Sequence, residues 1–154
     1  MCGVFGVYAP DRDVARLSYF GLFALQHRGQ ESAGIAVSEA GRLTALRDLG
    51  LVTQVFDEQK LHGLQGQVAI GHTRYSTTGS SQWSNAQPLL HHGAARTVAL
   101  GHNGNLVNAA ELRAVLAERG VSLGSTSDSE VIAALIAHDP APLEEAAAKA
   151  IRRL

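Results

Sequence analysis

The only cysteine of this chain stands at position 2, directly behind the initiator methionine. Taken alone, this position favours a plain structural interpretation, because Val4, Phe5 and Val7 predict that a strand opens here. A chemical interpretation is more specific. Removal of Met1 would give Cys2 a free α-amine beside its thiol, and the residue would then be a nucleophile that carries its own base.

Arg74 stands at the end of an apolar stretch and opens a loop rich in serine, threonine and glycine. The loop runs for about a dozen residues, a length that is uncommon for a plain connection and typical of binding loops and lids. A surface loop without function has the same composition. A guanidinium at a strand end can hold a carboxylate through two parallel hydrogen bonds, which makes Arg74 a candidate carboxylate-binding residue.

Two further stretches, GHNGNLVN and STSDSE, carry groups that suit the same chemistry. Asn103–Gly104 is first of all a turn signal, but an amide side chain beside a glycine N–H also supplies the two donors of an oxyanion hole. Asp128 falls in the first turn of a predicted helix, where the helix dipole favours a carboxylate, and it could also meet a substrate ammonium. With Cys2 and Arg74, these groups are suited to hydrolysing the side-chain amide of a free amino acid such as glutamine.

The composition excludes several other classes of function. The chain has 154 residues, a net charge of −1 and 45% hydrophobic residues, so we expect one globular domain and neither a nucleic-acid nor a membrane partner. It shows no secretion signal, and a single cysteine can form neither an internal disulfide nor a four-thiolate iron–sulfur site, which fits the cytoplasm. None of the seven histidines has metal-ligand spacing, so no metal site is predicted.

The elements that must position these residues alternate between short strands and helices. We predict a strand at 3–8, a helix capped by Asp13 that runs to about residue 26, and a hairpin over 32–48 that turns at Ala40–Gly41. A short helix at 57–64 and strands at 67–75 and 95–102 follow. Capping boxes at Asn108 and Ser127 open two more helices, and a last helix begins at residue 143.

Three of the strands are apolar at successive positions, in the stretches GIAV, VAI and TVAL. This pattern predicts that both faces of those strands are buried, while the hairpin spacing indicates antiparallel pairing. An antiparallel sheet that is covered on both sides needs a second sheet or helices on each face. Helix–sheet–sheet–helix layering satisfies that requirement.

Seven motifs in order give the chain a resemblance to a known family: CGVFGVY, LQHRGQESAGIAVS, GLVTQVFDE, IGHTRYSTTGSS, NAQPL, GHNGNLVNA and TSDSEVIA. It resembles the N-terminal glutaminase domain of the glutamine phosphoribosylpyrophosphate amidotransferases (amidophosphoribosyltransferases). The resemblance implies an α+β fold, the four-layer αββα sandwich of two antiparallel sheets found in N-terminal-nucleophile hydrolases. It also implies that residues 1–154 are a partial class II glutaminase domain, truncated at the C-terminus, and that the phosphoribosyltransferase domain is absent.

The resemblance also assigns roles to individual residues. It places the nucleophile on Cys2 after loss of Met1, and the oxyanion hole on Asn103 and Gly104. It assigns the binding of the glutamine carboxylate to Arg74, with Thr77 nearby, and the binding of the glutamine ammonium to Asp128. Arg28 and Gly29 match a loop that faces the active site and are expected to bind substrate, and residues 74–85 match a lid that Gly79 could hinge.

The implied function is the glutaminase half of the enzyme that makes 5-phosphoribosylamine from phosphoribosyl pyrophosphate and glutamine, at the first committed step of purine biosynthesis. No cofactor is expected in this chain. Phosphoribosyl pyrophosphate and Mg²⁺ are expected in the missing domain, and the full-length enzyme is expected to be a homo-oligomer. The alternatives are the glutaminase domain of another class II amidotransferase and a non-catalytic glutamine-binding module.

Overall fold

The computed structural model describes residues 1–75 and 82–154. The described chain divides into two compact units. The first unit holds Met1–Pro88 together with Gly101–Asn103, and the second holds Leu89–Leu100 together with Gly104–Leu154. Within the described ranges, no helix is long and apolar enough to cross a membrane.

The first unit is a four-stranded antiparallel sheet with helices against it. Its strands have the spatial order β1-β4-β2-β3. The hairpin turns where it was predicted, at Ala40 and Gly41, whose φ angles of 47° and 80° are those a tight two-residue hairpin turn requires. The elements are β1 (Gly3–Tyr8), α1 (Val14–Ala24), β2 (Ser32–Glu39), β3 (Arg42–Leu49), α2 (Val52–Val55), α3 (Glu58–His62) and β4 (Val68–Arg74).

The two faces of this sheet differ in chemistry because successive side chains along a strand point to opposite sides. One face is apolar, and it packs Ile35, Val37 and Ala69 in a common core with Leu22 of α1. The register pairs Gly34 with His72 and Ser32 with Arg74, so polar residues of β2 and β4 share the opposite face. The sequence alternation therefore brings Arg74 to the face of the sheet away from α1.

The second unit is a two-stranded antiparallel sheet with three helices. Its central helix is buried along most of its length, from Ser129 to Ala137, and contacts both strands and the other two helices. The elements are β5 (Leu89–His92), β6 (Thr97–Leu100), α4 (Ala109–Glu118), α5 (Asp128–His138) and α6 (Leu143–Ile151). The predicted α+β class with two antiparallel sheets is confirmed.

Two local predictions are wrong. Asn108 precedes α4 but makes no capping hydrogen bond. Its amide is oriented by Nδ2, which donates to the backbone oxygen of Arg153 at 2.7 Å, and Oδ1, the atom that would accept in a cap, is buried without a partner among the described residues. Ser127 does cap α5 through the N–H of Ser129, but Glu130 does not complete the predicted capping box. The sequence patterns also missed α2 and β5, which are each four residues long.

Glu130 is instead a buried anchor for the segment that precedes α5. Its Oε1 accepts from the N–H of Gly124 at 2.9 Å, and its Oε2 accepts from the N–H and the hydroxyl of Ser125 at 2.6 and 2.7 Å. His91 lies against the same carboxylate at 3.5 Å. Burial raises the pKa of Glu130, but the hydrogen bonds from Ser125 and Gly124 outweigh it, and the net pKa is below the ordinary value.

Replacing Glu130 with glutamine is expected to lower the free energy of unfolding by about 3 kcal/mol, because an amide offers one acceptor where the carboxylate serves three donors. Chemical denaturation at pH 7 measures this loss, and exposed Glu118→Gln is the matched control. Because the pKa of Glu130 is lowered in the folded chain, its contribution is present above the ordinary carboxyl pKa and is lost as pH falls through the lowered value. Equal unfolding free energies for both variants would contradict this assignment.

Candidate active site

Cys2 is held at both ends of its backbone. Its N–H donates to Oδ1 of Asn103 at 2.9 Å, and its carbonyl oxygen accepts from Nε of Arg28 at 3.0 Å. The thiol lies beside Tyr75, with Sγ 3.5 Å from the backbone nitrogen and 3.8 Å from the backbone oxygen. The side chain is partly exposed, so a small molecule can reach a sulfur whose position the surrounding backbone fixes.

The contact with Cys2 also orients the Asn103 amide. Because Oδ1 accepts from the Cys2 nitrogen, the donor group Nδ2 points away from that nitrogen. The fold thus joins two predicted site residues that are 101 positions apart in sequence. Gly104, the other predicted oxyanion donor, is the next residue in the chain and falls in the second unit.

Gly29 brings the segment after α1 against the end of β4. A Cβ at this position would lie 2.6 Å from both the carbonyl carbon of Arg74 and the oxygen of Thr73, which is closer than real Cβ atoms come. Only a glycine therefore permits this approach of two backbones. Arg28, the neighbouring residue, contacts the backbone of Cys2. The substrate-binding role predicted for Arg28 and Gly29 stays a prediction.

Replacing Gly29 with alanine is expected to lower the free energy of unfolding by about 1–3 kcal/mol, because the added methyl group must push the backbone of Arg74 aside. The matched control is Gly6→Ala in β1, where a Cβ would meet nothing within 4 Å. Thermal or chemical denaturation of the two variants measures the difference. Equal stability of both variants would show that the segment at Gly29 can move without cost.

Arg74 is paired inside the protein with a carboxylate that the sequence analysis did not single out. Its guanidinium Nη1 bonds Oε1 of Glu31, and the two side chains are 16% and 12% exposed. The backbone of Glu31 also donates to the Arg74 oxygen at 3.1 Å, which extends the β2–β4 pairing by one step. Glu31 lies in the motif LQHRGQES, one residue before β2, and nothing in that local pattern shows that its carboxylate meets Arg74. The ion pair fixes the guanidinium, and the predicted grip of Arg74 on a substrate carboxylate stays a prediction.

Three predicted residues, Asp128, Thr77 and Gly79, are not among the contacts described above. Asp128, in the second unit, accepts from the N–H of Leu106 at 2.8 Å through Oδ2, and its predicted role toward an ammonium group is untested by this contact. Thr77 and the predicted hinge Gly79 lie outside the described residues. Within residues 1–75 and 82–154, no three histidine, cysteine or acidic side chains are grouped so as to hold a metal ion.

Comparison with known proteins adds a family and several relatives. Residues 53–141 match the glutamine amidotransferase domain family. The chain is 58% identical over 154 residues to an amidophosphoribosyltransferase of Mycobacterium tuberculosis, covering 95% of this chain and 29% of that protein. It is 61% identical over 132 residues to the amidophosphoribosyltransferase of Synechococcus elongatus, covering 86% of this chain and 27% of that protein. The chain thus spans less than a third of the length of these curated relatives.

Two solved structures resemble the whole chain. One is the glutamine phosphoribosylpyrophosphate amidotransferase from B. subtilis complexed with ADP and GMP, with a TM-score of 0.86 and 38% identity. The other is described as the allosteric regulatory enzyme of purine biosynthesis, with a TM-score of 0.89 and 39% identity. Each match covers 100% of this chain and 33% of the other. The predicted N-terminal-nucleophile hydrolase fold is confirmed.

Proposed function

We propose, from the premise that this chain belongs to the glutamine amidotransferase domain family, that it hydrolyses glutamine with Cys2 as the nucleophile. The observation that carries the proposal is the 2.9 Å contact between the Cys2 nitrogen and Oδ1 of Asn103. In this contact the backbone nitrogen of Cys2, the residue that carries the thiol, lies next to the side-chain amide of Asn103.

The first half of the reaction forms a thioester. Once Met1 is removed, the Cys2 nitrogen becomes an α-amine that keeps a hydrogen for Asn103 Oδ1 and offers its lone pair to the thiol proton. The thiolate then attacks the side-chain carbonyl carbon of glutamine, and the carbonyl oxygen takes the displaced electron pair. Nδ2 of Asn103 and the N–H of Gly104 stabilise that oxyanion. The ammonium of Cys2 returns its proton to the departing nitrogen, the C–N bond breaks, and ammonia leaves.

The second half of the reaction regenerates the enzyme. Water gives a proton to the α-amine and attacks the thioester, the C–S bond breaks, and glutamate is released as the thiol recovers its proton. Arg74 and Asp128 hold the carboxylate and the ammonium of glutamine, with Thr77, Arg28 and Gly29 completing the substrate site. Arg28 has a second role, because its bond to the Cys2 carbonyl oxygen holds the backbone of the nucleophile.

For the whole protein we infer the activity named for its relatives. Ammonia would be used on phosphoribosyl pyrophosphate to give 5-phosphoribosylamine, at the first committed step of purine biosynthesis. The supporting observation is that the curated relatives with 58% and 61% identity are both amidophosphoribosyltransferases. The sugar phosphate and its Mg²⁺ would be held by the part of the relatives that this chain does not span. We further propose a cytoplasmic homo-oligomer with no cofactor in the present chain.

A direct assay of glutamine hydrolysis tests the proposal. Glutamate and ammonia are measured with the chain that has lost Met1 and with the same chain isolated with Met1 retained. We expect hydrolysis from the first preparation and none from the second, because only the first has a free α-amine on Cys2. Asparagine, whose amide is one methylene closer to the α-carbon, serves as the control substrate. Equal rates from the two preparations, or no hydrolysis from the first, would overturn the proposal.

A further inference from the structure

The segment Gly101–Asn103 belongs to no helix or strand, although it carries the Asn103 amide. Its backbone groups therefore lack the ladder partners that fix a strand, and other groups must satisfy them. Two side chains do so at His102. Its N–H donates to Oε1 of Gln87 at 2.8 Å, and its carbonyl oxygen lies 3.1 Å from Nε2 of His72.

Both of these side chains come from the interior of the first unit. His72 is 0% exposed and Gln87 is 4% exposed. His72 lies in β4 two residues before Arg74, and Gln87 lies two residues before β5. A buried donor and a buried acceptor thus hold the two successive peptide groups that flank His102, and the second of these peptides leads directly into Asn103.

The protonation of His72 follows from its partner. A carbonyl oxygen only accepts, so Nε2 must carry a proton, and in the neutral ring Nδ1 is then the unprotonated nitrogen. Nδ1 is buried and has no hydrogen-bond partner among residues 1–75 and 82–154. Burial lowers the pKa of His72 to about 4, and it outweighs the hydrogen bond to the His102 backbone, which raises the pKa; the charges of Arg74 and His102 lower it slightly further. The ring is therefore neutral at pH 7 and acts as a fixed donor.

We propose that His72 and Gln87 are positioning residues that hold the His102 backbone and, through it, place the Asn103 amide toward the oxyanion. This inference rests on the proposed function. Donors in an oxyanion hole must be held to within about 0.5 Å of their working position. Because the amide acts on charge that develops only in the transition state, loosening it lowers kcat and leaves the KM for glutamine nearly unchanged.

The test compares three variants with one control. His72→Leu and Gln87→Leu each remove one bond to His102, and we expect kcat to fall by about 10–100-fold at constant KM. His72→Gln returns a donor amide to the place of Nε2, and we expect it to recover most of the lost kcat. Thr73→Val is the matched control, since it changes a fully buried neighbour in the same strand whose side chain points to the other face. Its kcat should equal that of the unmutated chain.

A second measurement separates this inference from the proposed function. Alkylation of Cys2 by iodoacetamide needs no oxyanion hole, so its rate should be the same in all the variants. The His102 amide should exchange with solvent about tenfold faster in Gln87→Leu than in the unmutated chain. If the unmutated chain does not hydrolyse glutamine, the proposed function fails, and amide exchange still reports whether Gln87 holds His102. Unchanged kcat in both leucine variants, a loss confined to KM, or unchanged exchange at His102 would overturn the inference.

Discussion

Replacing Cys2 with alanine is expected to reduce glutamine hydrolysis by about 10⁴-fold or more, because the residue supplies the atom that bonds to the substrate. The structure gives the reason for so large an effect. The Sγ atom of Cys2 lies beside the backbone of Tyr75, and the backbone nitrogen of Cys2 donates to Asn103. No other cysteine exists in the chain to replace it. Release of glutamate and ammonia measures the change.

The Cys2→Ala variant keeps the hydrogen bonds that hold the backbone at position 2. The bonds from the Cys2 nitrogen to Asn103 and from Arg28 to the Cys2 oxygen involve only its backbone. We therefore expect an unchanged unfolding midpoint and retained binding of glutamine without turnover. A folded Cys2→Ala protein that hydrolyses glutamine at the unmutated rate would refute the role of Cys2.

Changing Asn103 to aspartate is expected to have the second largest effect, a fall in kcat of about 10²–10³-fold. The aspartate keeps an oxygen that can accept from the Cys2 nitrogen, so the position of the nucleophile is preserved. It removes the Nδ2 donors and brings a negative charge toward a developing oxyanion. Steady-state kinetics should show the loss in kcat with little change in the KM for glutamine.

The control for this variant is Asn105→Asp, which places the same charge two positions further along the chain at an exposed residue. We expect its kcat to stay close to the unmutated value. Equal losses in the two variants would indicate a general effect of charge in this loop. A fully active Asn103→Asp protein would exclude the side-chain amide from the oxyanion hole.

Local sequence signals predicted the parts of the fold that depend on local forces. Asp13 caps α1 through the N–H of Arg16, and Ala40–Gly41 turns the hairpin, because both depend on groups a few positions apart. Asn108 failed as a cap because a tertiary contact with Arg153 orients its side chain. The strand β5 was missed because four residues are too short for a periodic pattern to emerge.

In the candidate site too, the sequence predicted individual residues but not the tertiary contacts between them. Cys2 and Asn103 were predicted from residue type and family motifs, and the structure adds the contact between them, which arises from topology. Glu31 was not predicted, because nothing in its local pattern reveals that its carboxylate is turned toward Arg74. Gln87 and His72 were missed for a related reason. Their partner is a backbone group, and backbone groups are invisible in a pattern of side chains.

Intact mass before and after exposure to an electrophilic glutamine analogue tests the central claim most directly. It reports both the loss of Met1 and the formation of a covalent bond at the nucleophile, and peptide mapping identifies the residue. We predict a chain that lacks Met1 and gains one adduct on Cys2, with excess glutamine protecting against the reaction. A chain that lacks Met1 and gains no adduct, or gains it at another residue, would contradict the assignment of Cys2 as the glutaminase nucleophile.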